Sequence, residues 1–297
     1  MLGKMIASYK NGNTKIVLFE DGTRIIDIPD DEKAQFDFPV SMDFKITNWC
    51  DMNCPMCHEM SNTNGEHGDI MNLKFIDNLH AGTEIAIGGG KVTSHPDLIP
   101  FLEKLKSIGV LPSITVHQNE YLFNQPLVDD LIKRKLIYGL GVSYSNQDNL
   151  LWDKLYNYPN TVAHVIAGYH DSEVFDYLKK FKNNKILILG YKHWGRGKNY
   201  YNEKIEKNIS WLRDNLKNYI SEFDVVSFDN LAIEQLNVQE LLSEKEWSMF
   251  YQGNDGTNTM YIDGVKEQFA KTSTSPERYP IVDTIEEMFS IIKKGCA

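Results

Sequence analysis

Three of the four cysteines lie within one eight-residue stretch of this 297-residue chain. Cys50, Cys54 and Cys57 stand in the string CDMNCPMC with the spacing C-x3-C-x2-C, and Cys296 is the only other cysteine. A set of three cannot pair completely into disulfides, and clustered thiolates bind soft metals such as zinc or the iron of iron–sulfur clusters. The cysteine spacing therefore predicts a metal site.

The number of clustered cysteines also bears on the kind of metal. Structural zinc takes four ligands, but His58 adjoins Cys57 too closely to reach the same ion easily, and Cys296 is 239 residues farther along the chain. Three ligands instead suit a four-iron cluster with one iron open for a reacting molecule. The alternative is a zinc site completed by Cys296 or a histidine, which would make the chain a non-catalytic zinc or iron–sulfur binding module.

The cysteine motif resembles that of the radical S-adenosylmethionine (SAM) superfamily, and the resemblance covers roughly residues 42–195. It implies that Cys50, Cys54 and Cys57 hold a [4Fe–4S] cluster whose remaining iron takes the amino and carboxylate groups of SAM. The implied activity is reductive cleavage of SAM to methionine and a 5′-deoxyadenosyl radical, which abstracts hydrogen from a substrate. Cys296 alone is too little for a further cysteine-held cluster.

The same resemblance assigns a glycine-rich stretch to SAM. Gly88, Gly89 and Gly90 match the place where the family has a Gly-Gly-Glu stretch near the methionine moiety of SAM. Glycine suits this place because ligand atoms must approach bare backbone groups. Gly90 and Lys91 stand where Glu and Pro are usual, so the resemblance implies backbone contacts to SAM here and does not carry over the side-chain contact to its amino group.

Four further residues match weaker parts of the family pattern. His58 follows the third cysteine, where the family commonly has an aromatic residue whose backbone contacts adenine. Ser143 falls where a polar residue often contacts the ribose, and Ile166 and Ala167 resemble the segment that packs against adenine. Without the cysteine motif, plain packing of buried strands would be the more common explanation for these strand residues.

Other polar residues at strand ends and in loops are candidates for substrate contact or for ordinary turn and surface roles: Glu59, Glu66, His67, Gln118, Asn119 and Tyr144. Arg196, in a glycine-containing segment, could bind a carboxylate or phosphate or could be a solvated charge in a turn. Cys296 could donate a hydrogen atom to a substrate radical or could be a functionless end.

Short apolar runs alternate with amphipathic stretches after residue 41, as repeated βα units do. The predicted strands are 42–47, 84–89, 112–117, 138–145, 161–168 and 185–193, with a seventh within 223–236. The predicted helices are 97–107, 127–136, 174–181 with Ser172 as N-cap, and 203–220. We expect an α/β fold, a partial (β/α)6 TIM-like barrel, whose strand ends carry the cysteines, the glycines and Ser143.

The two ends of the chain have a different pattern. Residues 15–19 and 23–28 predict a β-hairpin, so residues 1–40 are predicted to be an N-terminal β extension. Residues 260–270 predict a second hairpin around Asp263-Gly264, followed by a tail over 272–280. The predicted domains are the N-terminal extension (1–40), the barrel (41–220) and a C-terminal strand, cap and tail (221–297).

Net charge and the length of apolar runs disfavour two classes of function, nucleic-acid binding and membrane spanning. A net charge of −10 disfavours nucleic acid as partner, and no apolar run approaches the roughly 20 residues of a membrane span. The start of the chain lacks the apolar segment of a secretory signal, which predicts a cytoplasmic protein. We expect a peptide or small-molecule substrate, with peptide slightly favoured, and an external one-electron reductant.

Overall fold

The computed structural model describes residues 3–158 and 160–295. They form two compact units: Met1–Met52, Ser61–Leu140 and Gly253–Ala297 make up the first, and Asn53–Met60 and Gly141–Gln252 make up the second. Cys296 lies outside the described residues. The domain limits predicted from sequence stay a prediction.

The chain alternates strands and helices over most of its length. The strands are β1 (Met5–Asn11), β2 (Thr14–Phe19), β3 (Arg24–Asp27), β4 (Ser41–Thr47), β5 (Glu84–Gly89), β6 (Leu111–His117), β7 (Gly139–Ser143), β8 (Thr161–Ile166), β9 (Lys185–Leu189), β10 (Val225–Phe228), β11 (Thr259–Asp263), β12 (Gln268–Ala270) and β13 (Tyr279–Pro280). The α-helices are α1 (Leu98–Ile108), α2 (Gln118–Phe123), α3 (Gln125–Lys133), α4 (Asn149–Tyr156), α5 (Ser172–Leu178), α6 (Arg196–Tyr200), α7 (Glu203–Ile220), α8 (Asn230–Gln235), α9 (Glu244–Phe250) and α10 (Ile285–Lys294).

The N-terminal hairpin is confirmed. Strands β2 and β3 pair antiparallel, and β1 adds a third antiparallel strand that was not predicted from the sequence. The apolar side of this small sheet, with Ile16 and Leu18, packs against Val40 and against Phe289 of α10. The extension is thus anchored in the core of the first unit.

In the larger sheet of the first unit, neighbouring strands follow the order β6-β5-β4-β11-β12-β13. Strands β4, β5 and β6 are parallel, and β11 joins β4 in parallel before turning back into β12 at Asp263-Gly264. The predicted C-terminal hairpin is confirmed. The predicted cap is in part an extension of the sheet, because β11 pairs along the edge of β4.

The second unit has the strand order β10-β9-β8-β7, and β8, β9 and β10 are mutually parallel. The predicted seventh strand is only four residues long, and the rest of its predicted range is largely helix α8. The α/β class and the parallel order of the strands agree with the prediction. Barrel closure is not detected in the described ranges, so the TIM-like curvature stays a prediction.

Amphipathic spacing accounts for the main helices. Helix α1 buries Leu98, Phe101, Leu102 and Leu105 on one face and ends at Gly109 with φ of 89°. Helix α7 spans the predicted residues 203–220. The predicted N-cap of α5 was wrong: Ser172 is inside the helix, and the carboxylate of Asp171 accepts the N–H of Glu173.

Strands β5, β6, β8 and β9 bury alternate side chains and leave most of the others half-buried, whereas β4 and β7 bury consecutive residues. Parallel sheets with helices on both faces bury both sets, so one face of each unit's sheet lacks a full cover of protein. On β6 this half-exposed set includes Ser113, Thr115 and His117, and on β8 it includes His164 and Ile166. No helix within 3–158 and 160–295 is long and apolar enough to cross a membrane.

Candidate active site

The three motif cysteines lie in the irregular loop that follows β4. The N–H of Cys50 donates to Asn62 O at 2.9 Å, and the N–H of Cys57 donates to Cys54 O at 3.3 Å. A backbone N–H of the loop, that of Met52, also approaches Cys50 Sγ at 3.5 Å. Backbone bonds therefore hold this loop in a turn-rich conformation that is neither helix nor strand.

The three thiols are half-exposed, and none is in a disulfide. Accessible thiols of this kind are the donor set that an iron–sulfur cluster needs. Among the residues that the structure describes, no three His, Cys, Asp or Glu side chains converge closely enough to hold a metal ion. The structure thus presents the sulfur donors without arranging them around an ion.

The glycine stretch lies at the end of β5 in the first unit. A Cβ added at Gly88 meets no atom within 4 Å, whereas at Gly90 it would lie 2.1 Å from Trp49 O. Gly89 has φ of 113°, and its added Cβ would lie 2.4 Å from Thr47 O. Gly89 and Gly90 are therefore required by the fold, while the space at Gly88 is open to another group.

The glycine stretch is bonded to the beginning of the cysteine loop. Gly90 N–H donates to Thr47 O at 2.7 Å, and Lys91 N–H donates to Trp49 O at 2.8 Å. Lys91 Nζ is 2.9 Å from Asp51 Oδ2 and lies over the Trp49 ring. Lys91, which departs from the family pattern, thus forms an ion pair with the residue next to Cys50.

His58 lies in the second unit beside a segment that follows β9. Its Nε2 is 3.5 Å from Lys192 Nζ and 3.5 Å from Glu59 Oε1. Arg196 does not stand apart as a solvated charge: its Nε donates to Cys54 O at 3.0 Å. The cysteine loop and the segment after β9 are therefore in direct contact.

Ser143 and Ile166 are the last residues of β7 and β8, each two residues before the predicted end of its strand, and both are half-buried. Ala167 is buried, and its N–H donates to Leu189 O at 2.8 Å. The N–H of Ile166 donates to Nδ1 of His170 at 2.8 Å. The roles of these residues, and of His58 and the glycines, toward SAM stay predictions.

Three of the other candidates are committed to contacts within the protein. His67 Nδ1 is 2.8 Å from Thr47 Oγ1. Gln118 is fully buried as the first residue of α2, so it does not line the half-exposed face. Tyr144 is buried against Trp152 but also borders a cavity of about 400 Å³ that Tyr169, Tyr200 and other residues of the second unit line.

Two imidazoles on the half-exposed faces were not predicted from the sequence. His117 Nδ1 accepts the N–H of Asn119 at 3.1 Å, which leaves the ring proton on Nε2, and burial lowers the pKa of His117. Burial lowers the pKa of His164 to about 4. Both rings are therefore neutral at pH 7. The only sequence signal for His117 and His164 is that they alternate with apolar residues in predicted strands.

Two buried charged groups were missed as well. Glu120 accepts the N–H groups of Thr93 at 2.8 Å and His117 at 3.2 Å, and burial raises its pKa to about 7. Lys45 Nζ lies 3.4 Å from Asp263 Oδ2, with both side chains buried. Lys45 stands opposite Gly88 in the β4–β5 register, and its Cγ would lie 2.9 Å from a Cβ added at Gly89.

No protein-family model matches the chain, and no curated protein matches it in sequence. Solved structures match its fold. Streptococcus suis SuiB bound to precursor peptide SuiA has a TM-score of 0.66 at 13% identity, over 97% of this chain and 88% of SuiB. SuiB bound to S-adenosylmethionine has a TM-score of 0.62 at 13% identity, over 96% and 87% of the two chains. At this identity the likeness establishes the fold.

Proposed function

We propose that this chain is a radical SAM enzyme that acts on a peptide. The observation that carries the proposal is the C-x3-C-x2-C loop placed directly after the first strand of a parallel sheet. The likeness of the whole fold to SuiB, which has been solved with SAM and with a precursor peptide, supports it.

Cys50, Cys54 and Cys57 would hold a [4Fe–4S] cluster, since their thiols are accessible and outside any disulfide. When bound and reduced by an external one-electron donor, the cluster would supply the electron that splits SAM into methionine and a 5′-deoxyadenosyl radical. The radical would take a hydrogen atom from the substrate, so that 5′-deoxyadenosine forms and the substrate carries the unpaired electron. A cytoplasmic setting suits reduced thiols.

The residues assigned to SAM differ in how much the structure supports them. Gly88 has the strongest support, because the space beside it is not filled by any protein atom within 4 Å of an added Cβ. Gly89 and Gly90 would shape the adjoining backbone. We assign Ser143 to the ribose on the weaker ground that it ends a strand on the half-exposed face.

The remaining assignments follow the family pattern. Ile166 and Ala167 would pack against adenine; Ile166 ends β8 with a half-buried side chain, and Ala167 follows it as a buried residue. His58 would contact adenine through its backbone. Its ring is already near Lys192 and Glu59, which favours a backbone role over a stacking role.

A peptide is the favoured substrate class over a small molecule. One face of the sheet in each unit is half-exposed over several strands and carries scattered polar side chains, which suits an extended ligand better than a compact one. The net charge of −10 does not favour nucleic acid. We therefore favour an extended peptide over a compact ligand.

The test is anaerobic reconstitution of the full chain with iron and sulfide, followed by reduction in the presence of SAM. We expect four irons per chain and formation of 5′-deoxyadenosine even without substrate, as the family's chemistry implies. Zinc bound at high occupancy with no 5′-deoxyadenosine would instead favour the non-catalytic binding module.

Replacement of single cysteines tests the ligand set. Cys54→Ala is expected to lose the cluster and all SAM cleavage, because two thiolates cannot hold the four-iron cluster in this way. Cys296→Ala is the matched control and is expected to keep the wild-type iron content. Iron retained by Cys54→Ala would contradict the assignment.

A further inference from the structure

The segment after β9 contacts two of the three motif cysteines through one residue. Arg196 N–H donates to Cys57 O at 3.0 Å, and Arg196 Nε donates to Cys54 O at 3.0 Å. The main chain and the side chain of Arg196 are thus hydrogen-bonded to the two ends of the short turn from Cys54 to Cys57. The arginine is half-buried, so its guanidinium is partly withdrawn from water.

Two glycines allow this segment to approach the cysteine loop closely. Gly195 has φ of 56°, and an added Cβ would lie 2.3 Å from His58 O. A Cβ at Gly197 would lie 2.4 Å from Lys192 O and 3.1 Å from Met56 O. Backbone of the segment therefore packs directly on backbone of the loop, without side chains between them.

The segment after β9 is also hydrogen-bonded to residues outside the cysteine loop. The buried Tyr191 donates its hydroxyl to Gly197 O at 2.8 Å, and its N–H donates to Gln235 Oε1 at 2.8 Å. Arg196 is therefore mounted on a part of the second unit that is fixed by α8 as well as by the loop. A charge fixed in this way keeps its place when the charge of its surroundings changes.

We propose that Arg196 is a positioning residue for the cysteine loop whose fixed positive charge raises the reduction potential of the cluster. The inference rests on the proposed function, because it concerns the cluster that Cys54 and Cys57 would hold. Reduction adds one negative charge to the cluster. A fixed cation in a partly desolvated place stabilises the reduced form more than the oxidised one.

Arginine suits this role better than lysine or histidine would. The guanidinium of arginine is planar and its positive charge is delocalised over three nitrogens. Its Nε–H can bond to the Cys54 carbonyl while the delocalised charge spreads over the rest of the group. Lys192, whose Nζ is 3.5 Å from His58 Nε2, adds a second cation on the same segment.

The experiment is a redox titration of the reconstituted full chain, followed by electron paramagnetic resonance of the reduced cluster. Arg196→Lys keeps the positive charge, and Arg196→Gln keeps a side-chain N–H donor without the charge. The matched control is Arg213→Gln, because Arg213 donates from Nε and Nη2 to Gln235 O at 2.9 and 2.7 Å rather than to a cysteine carbonyl.

We expect the midpoint potential of Arg196→Gln to shift to more negative values, with Arg196→Lys and Arg213→Gln close to wild type. A purely structural role would lower iron content without moving the potential of the clusters that remain. An unchanged potential in Arg196→Gln would overturn the proposal, as would equal shifts in the Lys and Gln variants.

Loss of the cluster in the variant and failure of the proposed function itself can both be distinguished from a change in potential. If Arg196→Gln retains no cluster, the Lys variant decides between the two roles. Wild-type iron content and a wild-type potential in Arg196→Lys would support a positioning residue that acts through its charge. Loss of the cluster in Arg196→Lys as well would overturn the electrostatic role. A wild-type chain that binds zinc and cleaves no SAM would overturn the proposed function and this inference together. A wild type that cleaves SAM, beside an unchanged potential in Arg196→Gln, would overturn the inference alone.

Discussion

At the scale of single residues, the glycine stretch contains one glycine that the fold does not require, Gly88, and one that it does, Gly89. We predict that Gly88→Ala leaves the free energy of unfolding within about 1 kcal/mol of wild type, since the added methyl group meets no protein atom within 4 Å and alanine is no worse than glycine in a strand. We also predict that it weakens SAM binding by about tenfold or more, near 1.4 kcal/mol. Chemical denaturation and titration calorimetry with SAM measure the two effects.

Gly89→Ala is the contrasting variant. Its φ of 113° and the approach of its added Cβ to Thr47 O predict a loss of stability of about 1–3 kcal/mol. If Gly88→Ala binds SAM as tightly as wild type, the space beside Gly88 does not hold the ligand, and our assignment of Gly88 is wrong.

Glu120 gives a prediction about pH. Burial raises its pKa in the folded protein to about 7, from 4.5, so the folded state holds this proton over a range in which the unfolded chain has lost it. The stabilisation is therefore complete below about pH 4.5 and is lost as pH rises through 7, by at most roughly 3 kcal/mol. Backbone N–H bonds from Thr93 and His117 act in the opposite direction.

Urea denaturation of the wild type and of Glu120→Gln at pH 5 and pH 8 measures this effect. The variant lacks the titrating carboxyl, so we expect the wild type to lose more stability than the variant between the two pH values. Parallel pH profiles for the two proteins would show that Glu120 does not keep its proton in the folded state.

The site residues that could be identified from the sequence are those with unusual types or spacing. Three clustered cysteines and three consecutive glycines are uncommon patterns, so they could be selected without a structure. His117, Lys45 and Glu120 could not be selected, because isolated histidines and charged residues are common in any sequence. Their significance comes from burial and from partners far along the chain, such as Asp263 for Lys45.

At the scale of elements, the loops after β4 and β5 are joined by backbone bonds and by the Lys91–Asp51 ion pair. We predict that Lys91→Met changes stability by no more than about 1 kcal/mol, because Asp51 is partly exposed. It should nevertheless speed the loss of iron from the reconstituted protein several-fold, since Asp51 adjoins Cys50 and the pair limits the motion of that loop. Iron release to a chelator measures the rate.

The charge-exchanged double variant, Lys91→Asp with Asp51→Lys, should restore part of the retention. Lys74→Met is the control, because Lys74 forms a similar pair with Asp283 at 3.1 Å but on an exposed surface. Equal iron release from Lys91→Met and wild type would show that the backbone bonds of Gly90 and Lys91 suffice to hold the loop.

The strands were easier to predict than the connections between them. The six strands of the βα repeat were placed within a few residues, since β-branched runs of strand length are distinctive in sequence. The seventh strand was predicted to lie within 223–236, and β10 does lie there, but it is short because Asp229 caps helix α8 directly after it. Pairing of β11 with β4 could not be foreseen, because it joins residues more than 200 positions apart.

At the scale of the whole molecule, the likeness to SuiB extends over 97% of the chain, beyond the half that the sequence resemblance covered. The N-terminal extension and the C-terminal strands carry no motif, so their place in the same fold could not be read from the sequence. They are recognisable only through their pairing: β1 to β3 form a sheet of their own, and β11 extends the main sheet. Architecture is shared here at 13% identity because packing constrains residue type far less than chemistry does.

The net charge of −10 is a property of the whole chain, and it predicts which probe peptides associate fastest. Two peptides of equal length, one rich in lysine and one rich in glutamate, would experience opposite electrostatic forces at distances up to a Debye length of about 8 Å at physiological ionic strength. We expect the lysine-rich peptide to associate faster in stopped-flow measurements and its advantage to shrink as salt is added, because screening weakens steering but not contact. Equal rates at low salt, or faster association of the acidic peptide, would show that a local basic surface governs docking against the average charge.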